Sequence, residues 1–207
     1  LLDAYGIPNV PGGLARSADE AVALAEQIGY PVVLKIVAEG LLHKSDAGGI
    51  LLNLQNSKEL RIAYDQLIGR IESNQPSAEI VGAMVEKMAA KGVEVIVGMR
   101  RDVTFGPLMM FGMGGTMVEL VKDIQFRVAP LSKEDIKSMV AETMAGKLLN
   151  GYRGAPMADF ESLYGVIAQL SHLSLEHPEI QEIEINPLIV YPEGQGVIAI
   201  DSRMILS

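Results

Sequence analysis

The sequence predicts an α+β protein of two lobes, on three observations. Helical and strand patterns are mixed without strict alternation, which argues against one doubly wound sheet. A cluster of turn formers, Ser73-Asn74-Gln75-Pro76, follows a completed helical pattern and marks a lobe boundary, giving lobes over 1–75 and 76–207. With 49 % apolar residues in 207, the chain can bury a sizeable core, as one large domain or as two small lobes.

Each element has a local cause. Ser17 and Glu20 form a capping box, and Ala21, Leu24, Ala25 and Ile28 follow at helical spacing until Gly29 stops the helix. Residues 31–37, rich in β-branched side chains, read as a buried strand. A polar, glycine-containing loop over 39–49 leads to a second strand at 50–54. Ser57 then caps a helix whose Leu60, Ala63, Tyr64, Leu67 and Ile71 share one face. Beyond the boundary, residues 80–88, 93–99 and 107–111 are short apolar runs of strand character. Ser132 with Asp135 starts a further helix, and Asp159 caps another that runs to about Leu175. Strands over 182–191 and 196–200 flank Pro192-Glu193-Gly194 as a hairpin.

Composition removes several function classes. Lys plus Arg number 17 against 26 Asp plus Glu, a formal charge of −9 and a pI near 4.8, which argues against a nucleic-acid partner. Zero cysteines exclude disulfides, cysteine-ligated metals and a thiol nucleophile. Only His43, His172 and His177 are present, which argues against a multi-histidine metal site. Mean hydropathy is +0.25. Even so, no apolar run approaches the roughly 20 residues a bilayer requires, and there is no signal-peptide pattern. A soluble, cytoplasmic protein with no membrane partner is the expectation. The chain begins at Leu1 rather than Met, as a piece of a longer polypeptide would.

Five places carry candidate chemistry. Lys35 lies inside an apolar strand, where its ammonium needs an anion; a phosphate-binding lysine and an edge lysine reaching water both fit. His43-Lys44-Ser45-Asp46, followed by Ala47-Gly48-Gly49, places an imidazole, an ammonium, a hydroxyl and a carboxylate in one glycine-containing loop. Neutral imidazole is a nucleophile toward phosphorus and Asp46 can set its tautomer, although a solvated loop has the same composition. Glu86-Lys87-Met88 ends one strand and Glu94 opens the next; such a connection offers backbone groups to an adenine edge and a carboxylate to ribose, as an ordinary charged hairpin also would. Gly112-Met113-Gly114-Gly115 marks a tight bend where backbone approaches a ligand, yet it is neither a Walker A loop nor a dinucleotide fingerprint. Finally, strand periodicity puts Glu184 and Asn186 on one face, and a hairpin brings Asp201 near it. Two carboxylates and an amide oxygen make the hard site that Mg²⁺ prefers, whereas a polar edge strand would show the same alternation.

In this order, these pieces resemble the ATP-grasp domain of the ADP-forming acyl-CoA synthetases, of the acetyl-CoA synthetase β subunit type and related to the succinyl-CoA synthetase β chain. The likeness runs through Leu1-Leu2-Asp3-Ala4-Tyr5-Gly6-Ile7-Pro8, Ile28-Gly29-Tyr30-Pro31-Val32-Val33-Leu34-Lys35 and His43-Lys44-Ser45-Asp46. It continues through Phe105-Gly106-Pro107 with Gly112-Met113-Gly114-Gly115, then Gly151-Tyr152-Arg153-Gly154, Ile185-Asn186-Pro187-Leu188 and Asp201-Ser202-Arg203. Two departures are Val103, often proline in the family, and Glu184, often aspartate.

The resemblance implies an ATP-grasp fold, two lobes clamping ATP or ADP with Mg²⁺. Lys35 is then similar to the phosphate-contacting lysine, Glu86, Lys87 and Met88 to the adenine-side segment, and Glu94 to the ribose-side carboxylate. Asn186 and Asp201, with Glu184, match the magnesium ligands, and Arg127 and Arg153 match arginines of the pattern. His43, flanked by Lys44 and Asp46, falls where these relatives place a second phosphohistidine. That residue relays phosphate between ADP and a histidine on a CoA-binding partner domain or α subunit, which would also take the carboxylic acid and CoA. A regulatory nucleotide-sensing domain of a protein lysine acetyltransferase and an ATP-grasp carboxylate–amine ligase are the alternatives.

Overall fold

The computed structural model describes residues 1–40, 48–115 and 123–207. The chain divides into two compact units, Val10–Ala89 and Leu1–Asn9 with Ala90–Ser207.

In the unit Val10–Ala89, four antiparallel strands run in the order β1 (Gly12–Ala15), β4 (Glu79–Lys87), β2 (Val32–Glu39), β3 (Ile50–Leu54). Helices α1 (Ala18–Ile28) and α2 (Ser57–Asn74) cover one face. Val32, Leu34 and Ile36 of β2 and Ala83 and Val85 of β4 meet Leu60, Tyr64, Leu67 and Ile71 of α2 in one core. The α2 stripe is the set of residues its helical spacing predicts. The cap is not: Asn56 closes the helix, its Oδ1 accepting the Glu59 N–H at 3.0 Å, and Ser57 is the first helical residue. The Asn56 carboxamide takes this end N–H, so the helix starts one residue earlier than a Ser57 cap would place it. Ser17 does cap α1, but Glu20 reaches the N–H of Arg16 at 2.8 Å rather than that of Ser17.

The larger unit holds an antiparallel sheet in the order β10 (Ser202–Leu206), β8 (Ile180–Val190), β5 (Val93–Asp102), β6 (Gly106–Met113), β7 (Ile124–Val128), with β9 (Val197–Ala199) also on β8. Helices α3 (Lys133–Ala141), α4 (Met144–Leu149) and α5 (Phe160–Glu176) pack on it. Val95, Val97, Met109, Phe111, Ile183 and Ile185 face Met139, Leu149, Leu163, Ile167 and Leu170. Ser132 and Asp135 form the expected reciprocal capping box, and Asp159 caps α5. The β8–β9 hairpin also forms.

The compact units divide at 89/90, not 75/76, and residues 1–9 belong with the larger one. Hydrogen bonding is the reason. β4 lies between β1 and β2 and pairs with both, so residues beyond 76 complete the first sheet. Ile7 is fully buried in the core of the larger unit, and Pro8 accepts the N–H of Ala199 at 2.8 Å. Among the described residues, no helix is long and apolar enough to cross a membrane.

Candidate nucleotide and metal site

Alternation along β2 and β4 sends Val32, Leu34 and Val85 to the helices and Lys35 and Glu86 to the opposite face. Glu86 stands opposite Val33, so Lys35 is its diagonal neighbour. The Lys35 Nζ lies 2.7 Å from Glu86 Oε2, and the two side chains are only 9 % and 14 % exposed. Bringing a lone charge to such a place costs several kcal/mol, which direct pairing offsets. On the other side of Glu86 is Gly12 of β1, where a Cβ would fall 2.7 Å from Glu86 Cγ and 2.8 Å from Val85 O. Glycine therefore makes the room in which the Glu86 stem lies.

Lys87 points elsewhere. Its Nζ donates to Gly29 O at 2.9 Å and Tyr30 O at 2.8 Å, so the ammonium holds the turn that launches β2. The N–H of Met88 donates to Pro31 O at 3.0 Å, tying the end of β4 to the same turn.

In the larger unit the site is a defect in a strand. Val95 pairs with Leu188 and Val97 with Ile185, so Asn186 and Pro187 together oppose Ile96. Proline, which has no N–H to donate, fits the ladder at this bulge. Across the other edge of β8, Asn186 N–H donates to Asp201 O at 3.0 Å and Ile200 N–H to Pro187 O at 3.0 Å. Residues 200 and 201 are the gap between β9 and β10. Bulge and gap lie side by side, which sets Asn186 and Asp201 next to each other. Glu184 shares the face of Asn186, its Oε1 accepting from Nδ2 at 3.4 Å.

Sequence reading missed one partner of this group. Gly115 donates its N–H to Asn186 Oδ1 at 2.9 Å, and Gly114 donates to Glu94 O at 3.0 Å. Gly115 has φ +65°, and a Cβ there would collide with the Glu94 carboxylate. The Gly114-Gly115 pair was legible as a close backbone approach; what the backbone approaches is Asn186 and Glu94. Glu94 thus stands with the Glu184–Asn186–Asp201 group, linked through Gly115. Asp201 Oδ1 accepts its neighbour's N–H, from Ser202, at 2.9 Å.

The donors here are carboxylate and amide oxygens, the chemistry Mg²⁺ selects. Among the described residues no three His, Asp or Glu side chains gather closely enough to hold a metal ion by themselves. A cation here would therefore need the Asn186 amide, and a polyphosphate to complete its shell.

Of the two expected arginines, Arg127 lies apart from this group. Arg127 is on β7, separated from β8 by β5 and β6, and pairs with Glu142 at 2.8 Å. Arg153 is exposed at φ +53° with its guanidinium 5.3 Å from the centre of the Tyr152 ring. His43, Lys44 and Asp46 lie outside the described residues.

A family model described as an ATP-grasp domain matches residues 1–206. The β subunit of ADP-forming acetate–CoA ligase I from Pyrococcus furiosus is 45 % identical over 206 residues, covering 100 % of this chain and 88 % of that one. The ADP-forming acetate–CoA ligase I of Archaeoglobus fulgidus is also 45 % identical over 206 residues, but the chain spans only 30 % of its length. A solved structure from Ca. Korarchaeum cryptofilum superposes with a TM-score of 0.86 at 42 % identity, covering 100 % of this chain and 88 % of the other. That protein is a dinucleotide-forming acetyl-coenzyme A synthetase holding coenzyme A and Mg-AMPPCP, its phosphohistidine segment pointing towards the nucleotide-binding site.

Proposed function

The chain belongs to the ATP-grasp domain family that includes the β subunits of ADP-forming acetate–CoA ligases, and on that premise we propose that it is the nucleotide-handling, phosphoryl-transferring part of an ADP-forming acyl-CoA synthetase. The whole reaction is acid plus CoA plus ATP in balance with acyl-CoA, ADP and phosphate. The observation that carries the reading is the bulge in β8, which sets Asn186 beside Asp201 with Glu184 on the same face. The relatives favour this reading over a regulatory sensor and over a carboxylate–amine ligase.

Residue roles follow from chemistry. The two compact units act as the ATP-grasp lobes. Lys35, presented by a rigid strand, neutralises charge on the nucleotide phosphates. Glu184, Asn186 and Asp201 hold Mg²⁺, which when bound supplies charge neutralisation to the polyphosphate. Glu94 accepts ribose hydroxyls, and the backbone near Met88 lies on the adenine side.

His43 takes the γ-phosphoryl group. The bond to the β–γ bridging oxygen breaks, a phosphorus–nitrogen bond forms on the imidazole, and ADP leaves. The same step in reverse returns the phosphoryl group to ADP. Asp46 sets the tautomer and Lys44 offsets the charge of the phosphorylated ring. A CoA-binding domain or α subunit supplies the acyl and CoA chemistry, in the cytoplasm.

Labelling tests this. After incubation of the complete enzyme with radiolabelled ATP and Mg²⁺, acid-labile, base-stable phosphate is expected on the peptide that carries His43. His43→Ala should abolish label on that peptide. Undiminished label there, or label confined to a carboxylate, refutes the relay.

A further inference from the structure

We infer that Glu86 is the counter-ion with which nucleotide phosphate competes for Lys35, a positioning residue and not a contact for the base. This rests on the proposed role of Lys35 at the phosphates. The pair is built into the sheet. Lys35 and Glu86 are diagonal neighbours on adjacent strands, on the face away from the helices, with Nζ and Oε2 2.7 Å apart. Gly12, directly opposite Glu86 on β1, leaves the space that its stem occupies; any larger residue would collide with Glu86 Cγ and Val85 O. The adjacent cation, Lys87, is held by the Gly29 and Tyr30 carbonyls.

The electrostatic consequence is specific. Without nucleotide, the carboxylate pairs with the shielded ammonium and offsets part of the cost of burying its charge. When a polyphosphate arrives, its oxygens share or take over the ammonium while the nearby carboxylate repels them. Glu86 therefore fixes where Nζ waits and opposes phosphate ligands by charge repulsion, more strongly the more charge they carry.

The test separates a counter-ion from a base contact. ATP and inorganic tripolyphosphate are titrated calorimetrically into the complete enzyme, wild type and Glu86→Gln. Both ligands should bind Glu86→Gln more tightly by about tenfold, the effect of one carboxylate charge at short range. A structural defect would not tighten binding. Weaker ATP binding with tripolyphosphate unchanged would assign Glu86 to the base, and no change in either ligand removes the competition; each result overturns the inference. If Glu86→Gln does not fold, Glu86→Asp, which shortens the reach to Lys35, replaces it: tighter tripolyphosphate binding supports the inference and unchanged or weaker binding overturns it. The double variant Lys35→Met with Glu86→Gln removes both charges of the pair. Tripolyphosphate binding that survives in the double variant refutes the phosphate role of Lys35 itself, whatever Glu86 does.

Discussion

Gly115 donates its N–H to Asn186 Oδ1 at 2.9 Å from a backbone at φ +65°, while the Glu94 carboxylate fills the space a Cβ would need. An amide oxygen has two lone pairs, so this bond orients the carboxamide and leaves one pair for a cation. Gly115→Ala strains the backbone by about 1–3 kcal/mol and pushes Glu94 aside. With Asn186 in its proposed role at Mg²⁺, the Mg²⁺ concentration for half-maximal phosphorylation of the complete enzyme is then expected to rise on the order of tenfold or more. An unchanged Mg²⁺ requirement would show that Asn186 needs no such support. At this scale the sequence was a good guide to residue type and a poor one to partners. The oddity of a lysine in the 31–37 run was visible, but its pairing with Glu86 depends on the β2–β4 register, which no local pattern encodes.

Among the elements, α5 shows how a cap becomes a tertiary contact. Asp159 Oδ1 accepts the Ser162 N–H at 3.0 Å, and Oδ2 accepts the Gly196 N–H from the β8–β9 turn at 2.9 Å. These donors hold its pKa below the ordinary carboxylate value, the Ser162 N–H foremost, against a smaller opposing effect of burial. A depressed folded-state pKa means stabilisation that is present above the unfolded value, near 3.9 for aspartate, and lost as pH falls through the folded one. Asp159→Ala should therefore cost about 1 kcal/mol or somewhat more in urea unfolding at neutral pH. The gap from wild type should narrow as the pH drops below about 4. A gap independent of pH would show that the carboxylate charge plays no part. α2 and α5 were readable because each buries a periodic apolar face, and β2 because it is a continuous buried apolar run. β1, β7, α4 and β10 were not, being four to six residues long and held in place by neighbours rather than by their own pattern.

At the level of the whole molecule, the two compact units have separate apolar cores. Leu67, fully buried within the core of Val10–Ala89, is expected to cost about 2–5 kcal/mol when replaced by alanine. Hydrogen exchange measured by mass spectrometry should then accelerate across residues 10–89 and leave peptides from 90–207 unchanged. Acceleration spread evenly over both would mean that the units unfold together. The α+β class, the helical faces, the capping of α3 and α5 and the family were legible in the amino-acid sequence, because all of these are written in local periodicity, residue type or ordered motifs. Strand pairing in three dimensions set the rest: the first sheet takes a strand from beyond residue 76, Glu86 pairs with Lys35, and Gly115 holds Asn186. Those facts depend on which strands pair and in what register, and pairing is settled by burial of whole faces rather than by any short stretch of chain.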